Sequence, residues 1–356
     1  MTKLIQALPE GPLDIIGDVH GEIDALLRLL HRLGCTPAKR RAQRPLVFVG
    51  DLVDRGPNSP AVVELVMELV EAGIAQCVLG NHEYNLLTHA KKEGNGWARD
   101  DAEDYFQIKQ GGQVIKVPFD SAMATPADMP RYRAFFSELP LALVRDDLRV
   151  VHACWHGETI ERLPETAEIA TLGRQEATAI YHDQVARGVY EKEQEERLRF
   201  GNLKDLAMRP TTPLPNHVQA TLERQNGHGL RVLTSGQEEP VAFEDIFFVG
   251  GKWRFVRRSH WWLDYGDAPA VVIGHYWRQR GRHQVDPNGR SWQSLPPYAW
   301  AGPHRNVFCV DFSAGRRYQE RAQGRRNGFD HGLAALRWPE NCVYFDDREG
   351  VIQTTR

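Results

Sequence analysis

Three short runs of glycine and polar residues constrain the fold of this chain more than any other feature. They are GDVHG at 17–21, GDLVDRG at 50–56 and GNHE at 80–83. Each run follows an apolar stretch typical of a buried strand, and a helix-like segment follows the first two. In open α/β sheets, such turns lie at the carboxyl ends of neighbouring strands, where functional sites are found. The sequence therefore predicts a parallel or mixed sheet that collects these polar side chains at one edge.

The periodicity of the chain predicts which segments surround the three runs. In the first half, strands are predicted over 13–16, 46–49 and 74–79, and helices over 23–33 and 60–72. Ser59 is the predicted N-cap of the second helix. Later core strands are predicted over 141–144, 148–152, 270–274 and 307–311, with closing strands over 343–345 and 351–354. We expect a single domain over 1–356, with a mostly helical insertion near 84–140 and an irregular one near 157–268.

Composition limits the class of protein. The chain has 356 residues, of which 42% are hydrophobic, and its net charge of −3 implies no general attraction to nucleic acid or anionic membranes. Its five cysteines are dispersed without a CxxC pair, which predicts a reducing compartment and no disulfide framework. Because the N-terminus carries no apolar leader-like stretch, we expect a cytoplasmic location and no membrane partner.

The residue types in the three runs predict metal chemistry. Carboxylate and amide oxygens mixed with imidazole nitrogens suit divalent Mn, Fe or Zn. A central carboxylate can bridge two such ions, and two ions together can bind a phosphate group. The residues alone therefore predict a two-metal phosphoesterase.

Two later blocks extend this pattern, namely VVHA around His152 and IGH ending at His275. The five blocks together resemble the signature of the calcineurin-like metallophosphoesterases and, more narrowly, of their phosphoprotein phosphatase branch. The resemblance covers the core on both sides of the two insertions and says little about 90–140 or 160–250. It implies an α/β sandwich of two mixed sheets flanked by helices, in four layers α/β/β/α.

The resemblance also implies a ligand set for two divalent metal ions, Mn²⁺ above all, with Fe or Zn as alternatives. Asp18 and His20 would bind the first ion, and Asp51 would bridge both ions. The second ion would be held by Asn81, His152 and His275.

Catalytic and phosphate-binding roles follow from the same resemblance. His82 resembles the general acid of the family, and Asp54 resembles the partner that orients it. Arg55 resembles the residue that binds the phosphate with its planar guanidinium. A second phosphate-binding arginine is expected before the last histidine ligand, where we favour Arg257 over Arg258.

The sequence leaves the substrate open. We favour a Ser/Thr protein phosphatase acting on phosphomonoesters, so that the partner is a phosphoprotein. Hydrolysis of dinucleoside polyphosphates, as by a symmetrical diadenosine tetraphosphatase, or of nucleotide-capped RNA is the nearest alternative, because bacterial members of the branch share all five blocks. A polynucleotide end phosphatase and a non-catalytic phosphate-binding scaffold are further alternatives. The block at His152 continues with Ala153 and Cys154 instead of the family's two glycines, a departure from the eukaryotic protein phosphatases.

Two further groups of residues allow more than one interpretation. Tryptophans near the last histidine could stack on a base or pack in the core; they are Trp261, Trp262 and Trp277. Late basic residues are solvated or, if they surround the site, favour polyanionic substrates. These are Arg278, Arg280, Arg282, Arg316, Arg317, Arg321, Arg325 and Arg326.

Overall fold

The computed structural model of the chain describes residues 1–99, 104–110, 113–205, 208–249, 252–281, 292 and 295–356. Its strands are β1 (Thr2–Lys3), β2 (Ile5–Ala7), β3 (Leu13–Ile16), β4 (Leu46–Phe48), β5 (Ala75–Cys77), β6 (Tyr105–Gln110), β7 (Gln113–Pro118), β8 (Ala142–Val144), β9 (Leu148–Val151), β10 (Thr166–Ala167), β11 (Glu238–Pro240), β12 (Phe247–Val249), β13 (Lys252–Arg254), β14 (Val256–Arg258), β15 (Ala270–Ile273), β16 (Val307–Cys309), β17 (Ala334–Trp338), β18 (Cys342–Phe345) and β19 (Ile352–Gln353). Its α-helices are α1 (Ile23–Arg32), α2 (Ser59–Glu71), α3 (Asn81–Leu87), α4 (Asp128–Glu138), α5 (Gly157–Arg162), α6 (Ile169–Ala186), α7 (Val189–Phe200), α8 (Pro215–Asn226), α9 (Gly229–Ser235) and α10 (Arg317–Ala322).

The first sheet has six strands in the order β19-β18-β17-β3-β4-β5. Strands β3, β4 and β5 run parallel, and Phe48 of β4 lies opposite Ile16 on one side and Cys77 on the other. Strand β17 pairs antiparallel with β3, so the C-terminal part of the chain completes this sheet. The carboxyl ends of the three parallel strands share one edge, and the three glycine-containing runs emerge there.

The second sheet has five strands in the order β16-β15-β9-β8-β2. Strands β9, β15 and β16 are parallel neighbours, whereas β8 pairs antiparallel with β9. Their carboxyl ends also share one edge. The predicted ligands His152 and His275 follow β9 and β15 at this edge.

The two sheets pack face to face. Alternate residues along a strand point to opposite faces of its sheet, so that one set of side chains lies between the two sheets. Leu13 and Ile15 of β3 join Val150 of β9 and Val272 of β15 in one buried cluster. Ile16 of β3, which points the other way, belongs to the cluster that contains the helices. The structure thus confirms the predicted mixed α/β sandwich with helices on its outer faces.

Helices α1 and α2 cover the outer face of the first sheet. Helix α1 buries Ala25, Leu26, Leu29 and Leu30, the three- and four-residue spacing of an amphipathic helix. Helix α2 begins at Ser59, and its N-cap is Asn58, whose Oδ1 accepts from the backbone N–H of Ala61 at 2.9 Å. The predicted Ser59 cap is therefore wrong.

The first insertion contains strands as well as helices. Strands β6 and β7 form an antiparallel hairpin in which Phe106 lies opposite Val117. The expectation of a mostly helical segment missed this hairpin, although two glycines at 111–112 between β-prone stretches are a hairpin signal. Phe106 packs on Phe119 and Tyr318, with ring centroids 5.0 Å and 4.5 Å away.

The second insertion is more regular than predicted. It contains helices α5 to α9 followed by the strand pairs β11–β14 and β12–β13. Part of it has a small core of its own, formed by Leu203, Leu214, Ile246, Trp253 and Phe255. The single domain over 1–356 stays a prediction.

In the part of the chain that the structure describes, none of the helices combines the length and the apolar character that crossing a bilayer requires. The cytoplasmic location stays a prediction.

Candidate metal centre

Asp51 lies at the centre of a cluster of imidazoles between the two sheet edges. Its Oδ2 atom lies 3.3 Å from His152 Nε2 and 3.8 Å from the Nε2 atoms of His20 and His82. Its Oδ1 atom accepts from the backbone N–H of His82 at 3.0 Å. All four residues are buried. The structure therefore brings together side chains that follow β3, β4, β5 and β9.

The cluster keeps Asp51 ionised. Burial by itself would raise the pKa of Asp51, but the neighbouring imidazoles, His152 above all, outweigh burial and hold that pKa well below its usual range. Burial likewise disfavours the charged form of His152, yet the Asp51 carboxylate outweighs this effect and raises the pKa of His152 to about 10. Asp51 and His152 thus form an ion pair within the cluster.

Backbone strain is concentrated in this region. His20, Asp51, Asp54, Arg55 and His275 have positive φ angles between 48° and 76°. Residues with a side chain adopt this conformation only when the surrounding structure enforces it, and such residues cluster at functional sites.

Asp18 presents an unsatisfied oxygen to the centre. Its Oδ2 accepts from the backbone N–H of His275 at 3.0 Å, whereas its buried Oδ1 has no hydrogen-bond partner among the described residues. Gly274 permits this approach, because a Cβ there would collide with that Oδ1. Burial, together with the charge of Asp311, raises the pKa of Asp18 well above its usual range. A cation at Oδ1 would offset both costs.

The Nδ1 atoms of two histidines are bound to backbone carbonyls, so that their Nε2 atoms are the ones directed at the centre. His20 Nδ1 donates to Val53 O at 2.9 Å, and His152 Nδ1 donates to Val49 O at 2.7 Å. Hydrogen bonds of this kind fix the tautomer and the ring orientation of metal-binding histidines. His152 also ties the second sheet to the first, because Val49 follows β4.

Asn81 lies between the histidines of the second sheet. Its Oδ1 is 3.3 Å from His152 Nε2, and the same edge of the amide lies 2.8 Å from His275 Nδ1. Turning the amide over would allow its nitrogen to donate to His275, whereas a bound cation requires the oxygen in that place. The oxygen-inward orientation suits a metal ligand.

The residues present therefore fit two cations that share Asp51. Ligand atoms of His20, Asp51 and His82 lie within 4.8 Å of one another, and so do those of Asp51, His152 and His275. The unsatisfied Asp18 Oδ1 and the inward Asn81 Oδ1 complete a donor set of oxygens and imidazole nitrogens that divalent Mn, Fe and Zn accept.

His82 forms a dyad with Asp54 beside the centre. His82 Nδ1 donates to Asp54 Oδ2 at 2.5 Å, and Trp97 Nε1 donates to the other carboxylate oxygen at 2.7 Å. The backbone N–H of Asp54 donates to Ser59 Oγ at 2.9 Å, which explains why Ser59 does not cap α2. Asp54 fixes the ring so that His82 Nε2 points toward Asp51.

Arg55 faces two of the imidazoles. Its Nη2 lies 3.1 Å from His82 Nε2, and its Nη1 lies 3.3 Å from His20 Nε2. Since a guanidinium only donates, both ring nitrogens accept these bonds. Burial and the charge of Arg55 lower the pKa of His20 well below its usual range. His20 is therefore neutral, as a metal ligand must be.

Glu83 holds the backbone that carries Asp51. Its carboxylate accepts from the backbone N–H groups of Asp51, Leu52 and Gly80 at 2.9, 2.8 and 3.1 Å. Burial and the nearby Asp51 charge raise the pKa of Glu83 to about 7. Glu83 therefore supports the segment that carries Asp51.

The structure separates the two arginines proposed before the last histidine ligand. Arg257 Nε donates to Glu239 at 2.8 Å on the pair β11–β14, and its side chain is 40% exposed. Arg258 pairs with Glu238, and its charge, after burial, is the largest influence that lowers the pKa of His275. The structure thus brings Arg258, not Arg257, near the centre, and a phosphate-binding role for Arg257 stays a prediction without a supporting contact.

Sequence reasoning missed Asp311, which lies behind the centre. Its carboxylate accepts from the backbone N–H groups of Ser313 at 2.7 Å and Trp277 at 2.9 Å. Burial raises the pKa of Asp311 to about 6. The available signal was an aspartate two residues after β16, the same spacing that separates Asp18 from β3.

The late arginines serve different purposes. Arg278, Arg280 and Arg317 are buried and hydrogen-bonded to backbone carbonyls or carboxylates. Arg316 is half-buried and lies over the ring of Trp277, which is itself half-buried, whereas Trp261 and Trp262 belong to the core. Arg282 lies outside the described residues.

Comparison with known proteins agrees with this geometry. The family described as calcineurin-like phosphoesterase matches residues 11–183. A bis(5'-nucleosyl)-tetraphosphatase PrpE [asymmetrical] of Oceanobacillus iheyensis is 46% identical over 74 residues, which are 20% of this chain and 30% of that protein. A bis(5'-nucleosyl)-tetraphosphatase, symmetrical, of Dechloromonas aromatica is 43% identical over 86 residues, which are 24% of this chain and 29% of that protein.

The chain thus spans about 30% of the length of these curated relatives. Among solved structures, the cold-active protein-tyrosine phosphatase of a psychrophilic Shewanella species is 16% identical, with a TM-score of 0.43, over 98% of this chain and 83% of that one. A likeness of this size carries no conclusion about function. The family match is more specific: residues 11–183, which include the runs at 17–21, 50–56 and 80–83 as well as His152, match the calcineurin-like phosphoesterase family.

Proposed function

We propose that this chain is a two-metal phosphoesterase that hydrolyses dinucleoside polyphosphates. The observation that carries the proposal is the position of Asp51, whose Oδ2 lies within 3.8 Å of three imidazole nitrogens while an oxygen of Asp18 has no partner. The family match supports phosphoesterase chemistry, and the names of the relatives support the substrate class.

The ligand roles follow the donor atoms. Asp18, His20 and Asp51 would hold one divalent ion, and Asp51, Asn81, His152 and His275 the other. Bound there, a pair of Mn²⁺ ions, or of Fe or Zn, supplies Lewis-acid chemistry that withdraws charge from phosphate oxygens and acidifies a water molecule. With both ions bound, Asp18 and Asp51 would be anionic and the other ligands neutral, so the site would keep a net positive charge for a phosphate.

Arg55 binds the phosphate under attack. In the structure its guanidinium donates to ring nitrogens of His20 and His82. These neutral acceptors bind a guanidinium only weakly. A phosphate group offers it anionic oxygens in the bidentate geometry that a planar guanidinium prefers. Turning toward the phosphate would release His82 Nε2.

His82 then acts as the general acid. Water forms a new bond to phosphorus and releases one proton to solvent, and the bond from phosphorus to the leaving oxygen breaks. His82 takes up a proton at Nε2 once Arg55 has turned away, and gives that proton to the leaving oxygen. Asp54 stabilises the protonated ring through Nδ1 and keeps Nε2 directed at the centre. Trp97 holds Asp54 in turn.

We propose a dinucleoside polyphosphate as the substrate, whereas the sequence favoured a phosphoprotein. The protein-phosphatase hypothesis has support at the level of the family, whereas both curated relatives described above carry tetraphosphatase names. Their names include asymmetrical and symmetrical cleavage, so the position of the broken bond is an outcome of the test.

The test compares three substrates on the Mn²⁺-loaded protein: diadenosine tetraphosphate, a phosphoserine peptide and p-nitrophenyl phosphate. We expect the largest kcat/KM for the dinucleotide. ADP as sole product indicates symmetrical cleavage, and ATP with AMP indicates asymmetrical cleavage. A larger kcat/KM for the peptide would restore the protein-phosphatase hypothesis. Metal binding without turnover of any substrate would favour the non-catalytic scaffold.

A further inference from the structure

Trp277 brings a second arginine close to the candidate metal centre. The guanidinium carbon of Arg55 lies 5.4 Å from the centroid of the Trp277 ring, and that of Arg316 lies 4.3 Å from it. Both distances are in the range of cation–π contacts. Arg316 therefore contacts the same indole ring as Arg55, the residue that contacts His20 and His82.

The backbone fixes this arrangement. Trp277 has a φ of 50°, and Ser313, which precedes the 3₁₀ helix Ala314–Arg316, has a φ of 64°. The Asp311 carboxylate accepts from the backbone N–H groups of both residues, at 2.9 Å and 2.7 Å. Asp311 thus positions the indole and the short helix that ends at Arg316.

The same helix packs directly on a predicted metal ligand. A Cβ at Gly315 would collide with the ring of His20. Because Gly315 has no side chain, the backbone next to Arg316 lies against that ring. The position of Arg316 is consequently tied to the position of His20.

Arg316 differs from its neighbour Arg317 in the partners available to it. Arg317 is buried and donates to both carboxylate oxygens of Asp346, at 3.0 Å and 2.8 Å. Among the described residues, no carboxylate lies within ion-pair distance of Arg316, although that residue is half-buried. Burial lowers the pKa of Arg316, Tyr318 and Asp311 oppose that shift, and the charge of Arg55 acts in the same direction as burial. Two guanidiniums lie beside one ring, and among the described residues neither has a carboxylate within ion-pair distance, so that they offer a site for an anion.

We propose that Arg316 binds the phosphate next to the one that Arg55 binds, so that this face of the centre recognises a chain of two or more phosphates. Neighbouring phosphates in such a chain share one oxygen, which suits two guanidiniums around one indole. A phosphomonoester would use Arg55 alone. This inference rests on the proposed function, because it assigns the scissile phosphate to Arg55.

The first experiment measures binding without turnover. Calorimetry on the Mn²⁺-loaded protein compares inorganic tripolyphosphate with orthophosphate for the wild type, Arg316→Gln, Arg316→Lys and the exposed control Arg326→Gln. We expect Arg316→Gln to weaken tripolyphosphate binding by about 10-fold or more, the value of a charge-assisted hydrogen bond, and orthophosphate binding by much less. Chelation of Mn²⁺ in solution is the same for every variant, so differences between variants report on the site.

Rescue separates a binding role from a merely structural one. Arg316→Lys keeps the charge and should recover part of the tripolyphosphate affinity, whereas Arg326→Gln should behave as the wild type. Equal weakening of both ligands by Arg316→Gln, or no weakening, would overturn the inference. Thermal unfolding of each variant shows whether it has a folding defect. If Arg316→Gln has one, the tripolyphosphate affinity of Arg316→Lys tests the inference instead.

Kinetics then separate this inference from the proposed function. If the wild type hydrolyses diadenosine tetraphosphate, Arg316→Gln should raise KM for it by about 10-fold or more, and by more than KM for p-nitrophenyl phosphate. An unchanged ratio of the two KM values would overturn the inference and leave the proposed function intact. Absence of all turnover, with selective loss of tripolyphosphate binding in Arg316→Gln, would overturn the proposed function and support the inference.

Discussion

The first sheet contributes its side chains to the centre from three short runs, whereas the second sheet contributes single residues. Strands β3, β4 and β5 end in segments that each carry several polar groups, such as Asp51, Asp54 and Arg55 within GDLVDRG. Strands β9, β15 and β16 are followed by His152, His275 and Asp311, which are far apart in sequence. One half of the centre is therefore local, and the other half depends on the pairing of distant strands.

The two halves are also held differently. In the first sheet, Glu83 accepts three backbone N–H groups around Asp51. In the second sheet, His152 donates to Val49 O across the gap, and His275 N–H donates to Asp18. The second half is thus aligned by the first. Substitutions in the first half should affect the whole centre, and the predictions below test this difference.

The largest effect is expected at Asp51. Asp51→Asn removes one of the two anionic oxygens and so the capacity to bridge two cations. We expect bound metal to fall and activity to decrease by about 10³-fold or more, because several kcal/mol of transition-state stabilisation would be lost. Metal analysis and kcat on p-nitrophenyl phosphate measure this, with the exposed Asp146→Asn as control. A metal-loaded, active Asp51→Asn protein would refute the bridging role.

The next effect concerns proton transfer in the first half alone. His82→Asn should keep the bound metal and slow hydrolysis of alkyl phosphates by about 10²-fold. The loss on p-nitrophenyl phosphate should be smaller, since its leaving group needs less protonation. His89→Asn is the control, because His89 is exposed and its φ of 54° suits asparagine. Equal slowing of both esters would argue against the general acid.

A smaller effect is expected at Glu83, which touches no predicted ligand atom. In Glu83→Gln an amide N–H₂ replaces one acceptor and faces backbone donors. We expect metal affinity to decrease by about 10-fold, measured by Mn²⁺ titration. The exposed Glu71→Gln keeps the wild-type affinity. If Glu83→Gln bound metal as tightly as the control, Asp51 would not need this support.

The smallest effect is a pH dependence that the two halves share in the metal-free protein. The pKa values of Glu83 and Asp311 are raised from 4.5 to about 7 and from 3.8 to about 6. Since the folded state keeps protons that the unfolded state releases, the free energy of unfolding should decrease as pH rises from about 4 to 7. His152, whose pKa is raised from 6.5 to about 10, continues this decrease above pH 7.

Thermal unfolding with a chelator at pH 5, 7 and 8 measures this dependence. Glu83→Gln should reduce the slope between pH 5 and 7, whereas Glu71→Gln should not. With Mn²⁺ the trend should reverse, because metal ligands bind in their deprotonated forms. A flat profile for the metal-free wild type would contradict the shared dependence.

The sequence anticipated the first half of the centre better than its surroundings. The β-α-β-α-β order and the positions of the three runs could be predicted because each apolar period and its turn are contiguous. The hairpin of β6 and β7 and the role of Asp311 were missed. Asp311 resembles any polar residue after a strand until β16 is placed beside β15.

The arginines show the same limit. The GDLVDRG context is sufficient to propose Arg55 as a phosphate ligand, whereas Arg257 and Arg258 are adjacent and chemically identical. Alternate residues of a strand face opposite sides, so only the register of β14 against β11 distinguishes them. Arg316 and Arg317 present the same problem.

The sequence by itself was sufficient to predict the sheet edge, the types of candidate ligand and the family resemblance, because these reside in short runs whose spacing sets the local backbone. The tertiary structure alone decided which distant side chains meet there. It placed Asp311 behind the centre, Arg258 rather than Arg257 near the centre, and Arg316 beside Trp277. Such contacts depend on strand register and on packing between the sheets, and neither is encoded in the residues next to each side chain.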